Sequence, residues 1–316
     1  MKNKKPFPNS SATHARKPLR KKPKSATQTP EITQALLADK PTNAATTGVR
    51  IQKLLAQGGL GSRREIERWM EEGRVKVNGV QATLGTRLRA GDYLQINERG
   101  VDWEKFSGQT SRVLLYHKPT GEIVTRSDPQ GRPVIFSRLP ELAVGRWIAV
   151  GRLDINTSGL LLVTNNGELA NRLMHPSSEV EREYAVRILG DVPEQTLASL
   201  QQGVELEDGL AKFKEIHFNG GEGANKWYYV IVSEGRNRLV RRLWESQNVV
   251  VSRLMRVRYG PVVLPEYLPA GKHYELAESE LDLLFEFAGM TKEKPATATV
   301  KPEARSSKSF NLRKSR

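Results

Sequence analysis

The sequence predicts an α+β protein built from two folded parts of unequal size. Residues 49–97 carry two helix patterns, then short alternating stretches around an Asn-Gly turn. From Arg112 onward, strand and helix patterns follow one another irregularly, as in a mixed sheet with helices laid on it. Charge is segregated as well. The formal net charge is +15, but residues 1–47 hold ten Lys/Arg against two Asp/Glu, and residues 291–316 hold eight against two, leaving residues 48–290 at +1. The expected organisation is a disordered basic tail over 1–47, a small domain and linker over 48–108, a larger domain over 109–290, and a second disordered basic tail over 291–316.

The tails are rich in Lys, Ser, Pro, Thr and Ala and cannot bury enough apolar surface to offset the entropy of ordering. A flexible basic arm is drawn to a polyanion by counterion release. Beside a neutral body, such arms point to a nucleic-acid partner rather than a small anionic metabolite. The 38% apolar content over 316 residues supports more than one core. Absence of cysteine excludes disulfides, thiolate nucleophiles and the usual ligands of a zinc deaminase. His14, His117, His175, His217 and His273 show no short metal spacing, and neither a dinucleotide fingerprint nor a Walker A motif occurs, so no metal or cofactor is expected. The basic opening has no apolar segment behind it and no run approaches membrane-spanning length. A cytoplasmic monomer with no membrane partner is the expectation.

In the small part, Val49 to Gln57 has helical spacing ended by Gly58 and Gly59. Ser62 followed three residues later by Glu65 predicts a capping box, hence a second helix running to about Glu72 and stopping at Gly73. Ile66, Trp69 and Met70 share its apolar face. Val75 and Val77 alternate into the Asn78-Gly79 hairpin turn, and Leu84, Leu88, Leu94 and Ile96 supply further strand or hairpin positions.

In the large part, strands are expected at Val113 to Leu115, Trp147 to Val150, Leu160 to Val163, Glu183 to Ile188, Trp227 to Val232 and Val251 to Tyr259. Turns are expected at 118–121 and 128–131, and helices over 168–174, 195–202, 236–246 and 279–288. Asp154 stands just before the apolar run of Leu160 to Val163. An Asp in a loop ordinarily makes an Asx turn or caps a helix. A partly buried carboxylate that stays charged needs a cation or hydrogen-bond donors, and residues 235–242, Gly-Arg-Asn-Arg-Leu-Val-Arg-Arg, offer several. The pattern does not separate Arg238, Arg241 and Arg242: one can pair with Asp154 while others bind phosphate. Tyr184, alternating with Val186 and Ile188, is either a half-core residue or a ring set against a base. A conventional glycosidase would need a second placed carboxylate, and none lies nearby in sequence.

The small part resembles the S4 RNA-binding domain, through ValArgIle at 49–51, LysLeuLeu at 53–55, SerArgArgGlu at 62–65 and GlyArgValLysValAsnGly at 73–79. That likeness implies contacts from Lys53, Arg63, Arg64, Arg68 and Lys76 to structured RNA. Adding TyrHisLysProThrGly at 116–121, AspProGlnGlyArgPro at 128–133, GlyArgLeuAspIleAsnThrSerGly at 151–159, ArgGluTyr at 182–184 and GluGlyArgAsnArgLeuValArgArg at 234–242, the chain resembles the RsuA-type pseudouridine synthases over roughly residues 49–277. The resemblance implies an S4-like domain followed by a mixed-sheet synthase domain. It implies a catalytic Asp154, a Tyr184 stacked near the target base, and Arg241 as the cation paired with the aspartate. Arg152, Thr157, Arg236, Arg238, Val240 and Arg242 would contact the substrate. The implied partner is 23S ribosomal RNA or the immature large subunit, with a stem-loop uridine near the peptidyl-transferase region, uridine 2605, as target. Relatives that modify a neighbouring 23S site or 16S RNA share the motifs, and a noncatalytic assembly factor retaining the fold is the alternative.

Overall fold

The computed structural model describes residues 48–291; the expectations for the two basic tails fall outside the described residues. The first part comprises β1 (Val49–Arg50), α1 (Ile51–Gln57), α2 (Arg63–Glu71), β2 (Val75–Val77), β3 (Val80–Gln81), β4 (Arg87–Leu88), β5 (Leu94–Ile96) and β6 (Arg99–Val101). Strands β3-β2-β5-β6 form an antiparallel sheet, and β1 pairs separately with β4. The capping box forms: Ser62 Oγ accepts from the Glu65 N–H at 3.1 Å, and the Glu65 carboxylate accepts from the Ser62 N–H at 3.2 Å. Asn78 and Gly79 both take positive φ, 51° and 81°, the geometry a two-residue hairpin of the favoured twist requires. Ile51, Leu54, Leu55, Ile66, Met70, Val75, Leu88 and Leu94 fill one core, closed by Trp103 and Phe106.

Two expectations shift here. The helical pattern from Val49 loses its first two residues to β1, whose partner at 87–88 is remote in sequence. Leu84 is no strand position but an exposed turn residue, the core beside it being filled by Ala82 and Leu88.

The second part contains β7 (Val113–Lys118), β8 (Ile148–Ala149), β9 (Ser158–Thr164), α3 (Gly167–Met174), β10 (Arg182–Leu189), α4 (Glu194–Gln202), β11 (Val204–Leu206), β12 (Gly209–Ala211), β13 (Glu215–Phe218), β14 (Asn225–Val232), α5 (Leu239–Glu245), β15 (Val251–Tyr259), β16 (Val262–Val263), β17 (His273–Glu275) and α6 (Glu278–Phe287). Its main sheet runs β13-β14-β10-β15-β9-β7-β17, with β16 on β15 and β8 on β9. Every pairing in it is antiparallel except β15 with β9, so two antiparallel blocks meet at one parallel junction. Helices α3 and α6 cover the β7/β9 block with Leu169, Leu173, Leu281 and Leu284, while Leu239, Leu243 and Trp244 of α5 pack with Val186, Val230 and Phe213 on the β10/β14 block.

The helix expected from Arg236 begins only at Leu239. Residues 233–238 are a loop, and Arg238 takes φ +50° at the helix entrance, which helical spacing of the leucines does not reveal. The irregular alternation predicted a mixed sheet, and a mixed sheet forms.

Candidate active site

Asp154 lies on the connection between β8 and β9, directly ahead of the parallel junction. Gly151 turns the chain at φ +80°, Leu153 anchors it in a cluster with Trp147, Tyr116 and Leu161, and Asp154 follows half-buried. Four N–H donors hold the backbone around it. The Thr157 N–H closes a turn onto the Asp154 carbonyl at 3.0 Å, and the Gly121 N–H donates to the Ile155 carbonyl at 2.8 Å. Arg241 reaches the Asn156 carbonyl and Lys118 the Thr157 carbonyl, both at 2.9 Å. Carbonyls 154 to 157 are therefore each pinned, so the carboxylate is positioned by its backbone rather than by a partner at its oxygens.

The residue expected to pair with Asp154 thus does something else. Arg241, nine-tenths buried on α5, donates to the Asn156 and Val251 carbonyls, the latter at 3.1 Å, and makes no ion pair with Asp154. Burial first, and the neighbouring Arg238 charge second, push its pKa down, while Asp154 acts in the opposite sense. The guanidinium bridges the Asp154 loop to the start of β15, through one backbone carbonyl on each.

A cavity of about 550 Å³ opens beside Asp154, within the range of small-ligand pockets, about 300–1,000 Å³. Of the candidate residues, Arg152, Thr157, Tyr184, Arg236, Arg238 and Val240 line it with Asp154. Tyr184 enters from β10 where a bulge between Glu183 and Tyr184 shifts the register against β15, a device that re-aims a side chain. Arg236 is tied down by Glu234 and by Asp208 and its neighbouring carbonyls, and Arg238 pairs with Glu245 at 3.2 Å. Arg242 does not line the cavity; both its terminal nitrogens bind Asp208, at 2.9 and 2.8 Å.

The turn pattern at 118–121 includes Lys118 without distinguishing it. In the structure Lys118 is the last residue of β7 and fully buried, its ammonium donating to the Pro119 and Thr157 carbonyls. Period-two counting from Leu114 through Tyr116 to Lys118 puts all three on one face of the strand, the signal that marks it as an inward lysine. Burial pushes its pKa down from 10.5 to about 8, resisted by Glu122 and Asp154. Between those values the folded protein binds fewer protons than the unfolded chain, so the Lys118 contribution to stability grows as pH rises through the window and is lost as pH falls through about 8. The unfolding free energy of wild type relative to Lys118→Met is expected to rise on the order of 2 kcal/mol from pH 7 to pH 10 in urea titrations. A pH-independent difference would show that the lysine is solvated.

The basic residues of the first part divide. Lys53, Arg63 and Arg64 line a second cavity of about 640 Å³ together with Arg146, Asn166 and Asn171, and Lys53 pairs with Glu168 of α3 at 3.6 Å. Met174 lines both cavities. Arg68 and Lys76 lie outside them, paired with Glu72 at 3.6 Å and Glu98 at 2.7 Å. Sequence reasoning does not single out Arg182, Arg256 and Tyr259, which also line the first cavity. The basic strand pattern of 251–259 is the available signal, since Leu254 and Arg256 alternate onto one face.

Residues 112–246 match the family model described as RNA pseudouridylate synthase, and residues 49–93 match the S4 domain. The ribosomal large subunit pseudouridine synthase B of Pseudomonas aeruginosa is 55% identical over 80% of this chain, which spans 66% of that relative's length. The protein of the same name from Salmonella typhi is 53% identical over 84% of this chain and 92% of its own. A solved structure described as a pseudouridylate synthase superposes with a TM-score of 0.52 at 25% identity, covering 75% of this chain and all of that one. With an S4 fold in front of a mixed sheet whose strand junction presents an aspartate to a basic pocket, the chain belongs to the RNA pseudouridine synthase family and is an enzyme of that class.

Proposed function

We propose that this synthase converts a stem-loop uridine of 23S ribosomal RNA near the peptidyl-transferase region, uridine 2605, into pseudouridine, acting as a cytoplasmic monomer on the free RNA or the immature large subunit. The observation that carries the chemistry is Asp154 on a pinned loop, at the wall of a cavity lined by Tyr184 and arginines. The name of the 55% identical relative supports the choice of large-subunit RNA.

In this reading Asp154 starts the reaction, by attack on C1′ or by taking the 2′ proton. Either route breaks the N1–C1′ bond, lets the held uracil turn and forms C5–C1′, with the abstracted proton returned to C2′ in the second route, after which the C5 proton is lost and N1 is protonated. Tyr184 stacks near the base, and Val240 supplies an apolar surface beneath it. Arg152, Thr157, Arg236 and Arg238 surround the nucleotide. Arg241 serves as a positioning residue through the Asn156 carbonyl. The 48–108 segment holds RNA backbone and shape while the 109–290 segment admits one flipped uridine.

Purified protein incubated with 23S fragments and immature large subunits, followed by chemical mapping, should yield pseudouridine at one position. No product on either substrate would count against the proposal. Product at a different 23S or a 16S uridine would retain the chemistry and correct the target. Binding without isomerisation would favour an assembly factor, and free uracil a hydrolase.

The cavity shared by Arg63 and Arg64 should hold backbone phosphates on the way to Met174 and the reaction pocket. Replacing both arginines with alanine is expected to weaken stem-loop affinity and to lower the slope of log K against log salt by roughly 0.7–0.9 for each phosphate no longer neutralised. An unchanged slope in a salt series would place the RNA elsewhere.

A further inference from the structure

Two buried arginines in the reaction pocket have no counter-ion among the described residues. Arg182 on β10 is 8% exposed and Arg256 on β15 is 2% exposed, and both guanidiniums stack on Tyr259, their carbons 5.2 and 5.0 Å from the ring centroid. Arg256 Nε donates to the Leu160 carbonyl at 2.8 Å, and Arg182 Nη2 lies 3.5 Å from the Tyr259 hydroxyl, which itself donates to the Leu173 carbonyl. Arg182 Nη1 and Arg256 Nη2 are buried with no hydrogen-bond partner among the described residues. The carboxylates flanking Arg182 in sequence are engaged elsewhere, Glu181 with Lys214 and Arg258, and Glu183 with Arg258 at 2.7 Å.

An unpaired buried cation is expensive, and two on one ring are more so. Such a pair is retained where a ligand supplies the anion. The proposed substrate offers one kind of anion only, because uracil and ribose are neutral at pH 7 and the phosphodiester carries the charge. Guanidinium is well matched to it, with several donors in a fixed plane. Gly235 in the 233–238 loop packs beside Arg182: a Cβ there would sit 3.7 Å from the Arg182 guanidinium, so the glycine keeps a side chain off that face.

We infer that Arg182 and Arg256 form a phosphate-binding floor that takes the phosphodiester next to the flipped uridine, with Tyr259 as the spacer between them. The inference rests on the proposed reading that this cavity admits one uridine of RNA. Captured there, the phosphate fixes where the ribose lies relative to Asp154.

The test uses stem-loop RNAs in which one phosphate is replaced by a neutral methylphosphonate, either adjacent to the target uridine, on its 5′ or 3′ side, or several nucleotides away. For wild type, one adjacent replacement should lower affinity and kcat/KM roughly 10- to 100-fold, the distant one little. Arg182→Met and Arg256→Met should bind the all-phosphate RNA more weakly and lose nothing further with that adjacent neutral linkage. Indifference of wild type to both adjacent linkages overturns the inference, as does a variant that loses the same factor again. If a variant fails to fold by thermal unfolding, the wild-type linkage series still decides. Should wild type form no pseudouridine in any stem-loop, the proposed function fails, while affinity for the neutral-linkage RNAs continues to read the phosphate site.

Discussion

Asp154→Asn is expected to lower pseudouridine formation roughly 10³-fold or more while leaving stem-loop affinity within about threefold and the unfolding midpoint nearly unchanged. The substitution separates two roles that the sequence leaves together. If Asp154 merely shapes its turn, asparagine serves as well, since both side chains accept the same local N–H bonds and tolerate the same backbone. The fold also takes little from the charge: the local turn is closed by the Asp154 carbonyl, which asparagine keeps, and the carboxylate makes no ion pair with the described residues. Only chemistry that needs a carboxylate, attack on C1′ or removal of the 2′ proton, is lost. Single-turnover kinetics with a filter-binding titration and a thermal melt on the same preparation check all three quantities. Retained turnover would return Asp154 to a turn residue and leave the pocket without a reactive group.

The contrast between Asp154 and Arg241 shows what can be read in advance. Local chemistry is legible: the Ser62/Glu65 capping box, the Asn78-Gly79 hairpin, the strands around Leu160 and Tyr184 and the helix over 168–174 all follow from a few adjacent residues. What depends on distant pairing is not. Val49 joins a strand because residues 87–88 come alongside, Lys118 is interior where it donates to the Thr157 carbonyl of the Asp154 loop, and Arg241 of α5 meets the Asn156 carbonyl of the same loop. The cluster of arginines over 236–242 is visible as a cluster, yet its division is hidden. Asp208, remote in sequence, takes Arg242 and part of Arg236, leaving Arg236 and Arg238 at the cavity and Arg241 under the loop. Arg182 and Arg256 carry only a faint sequence signal, one in the ArgGluTyr motif and one in the basic strand 251–259, and their meeting at Tyr259 comes from the pairing of β10 with β15.

Gly159→Ala should be strongly disruptive, costing about 3–5 kcal/mol of stability. Gly159 stands at φ +104°, and a Cβ built there would lie 2.2 Å from the Arg256 carbonyl oxygen and 2.7 Å from its nitrogen. Both are backbone atoms of the facing strand, so no side chain can swing away to relieve the clash. The position is the parallel junction itself, where Arg256 pairs with Gly159 and Met255 with Ser158, and no other pairing among the described residues joins β13-β14-β10-β15 to β9-β7-β17. Gly151→Ala provides the control. It shares the left-handed backbone, φ +80°, but has nothing within 4 Å of its would-be Cβ, so only the conformational cost remains, about 1–2 kcal/mol. Urea unfolding of the two variants therefore measures the steric term by difference, and equal midpoints would mean that the strands can part at Gly159 without penalty. Because β9 follows the Asp154 loop and β15 carries Arg256, whatever fraction of Gly159→Ala folds should also turn over more slowly than its stability alone accounts for.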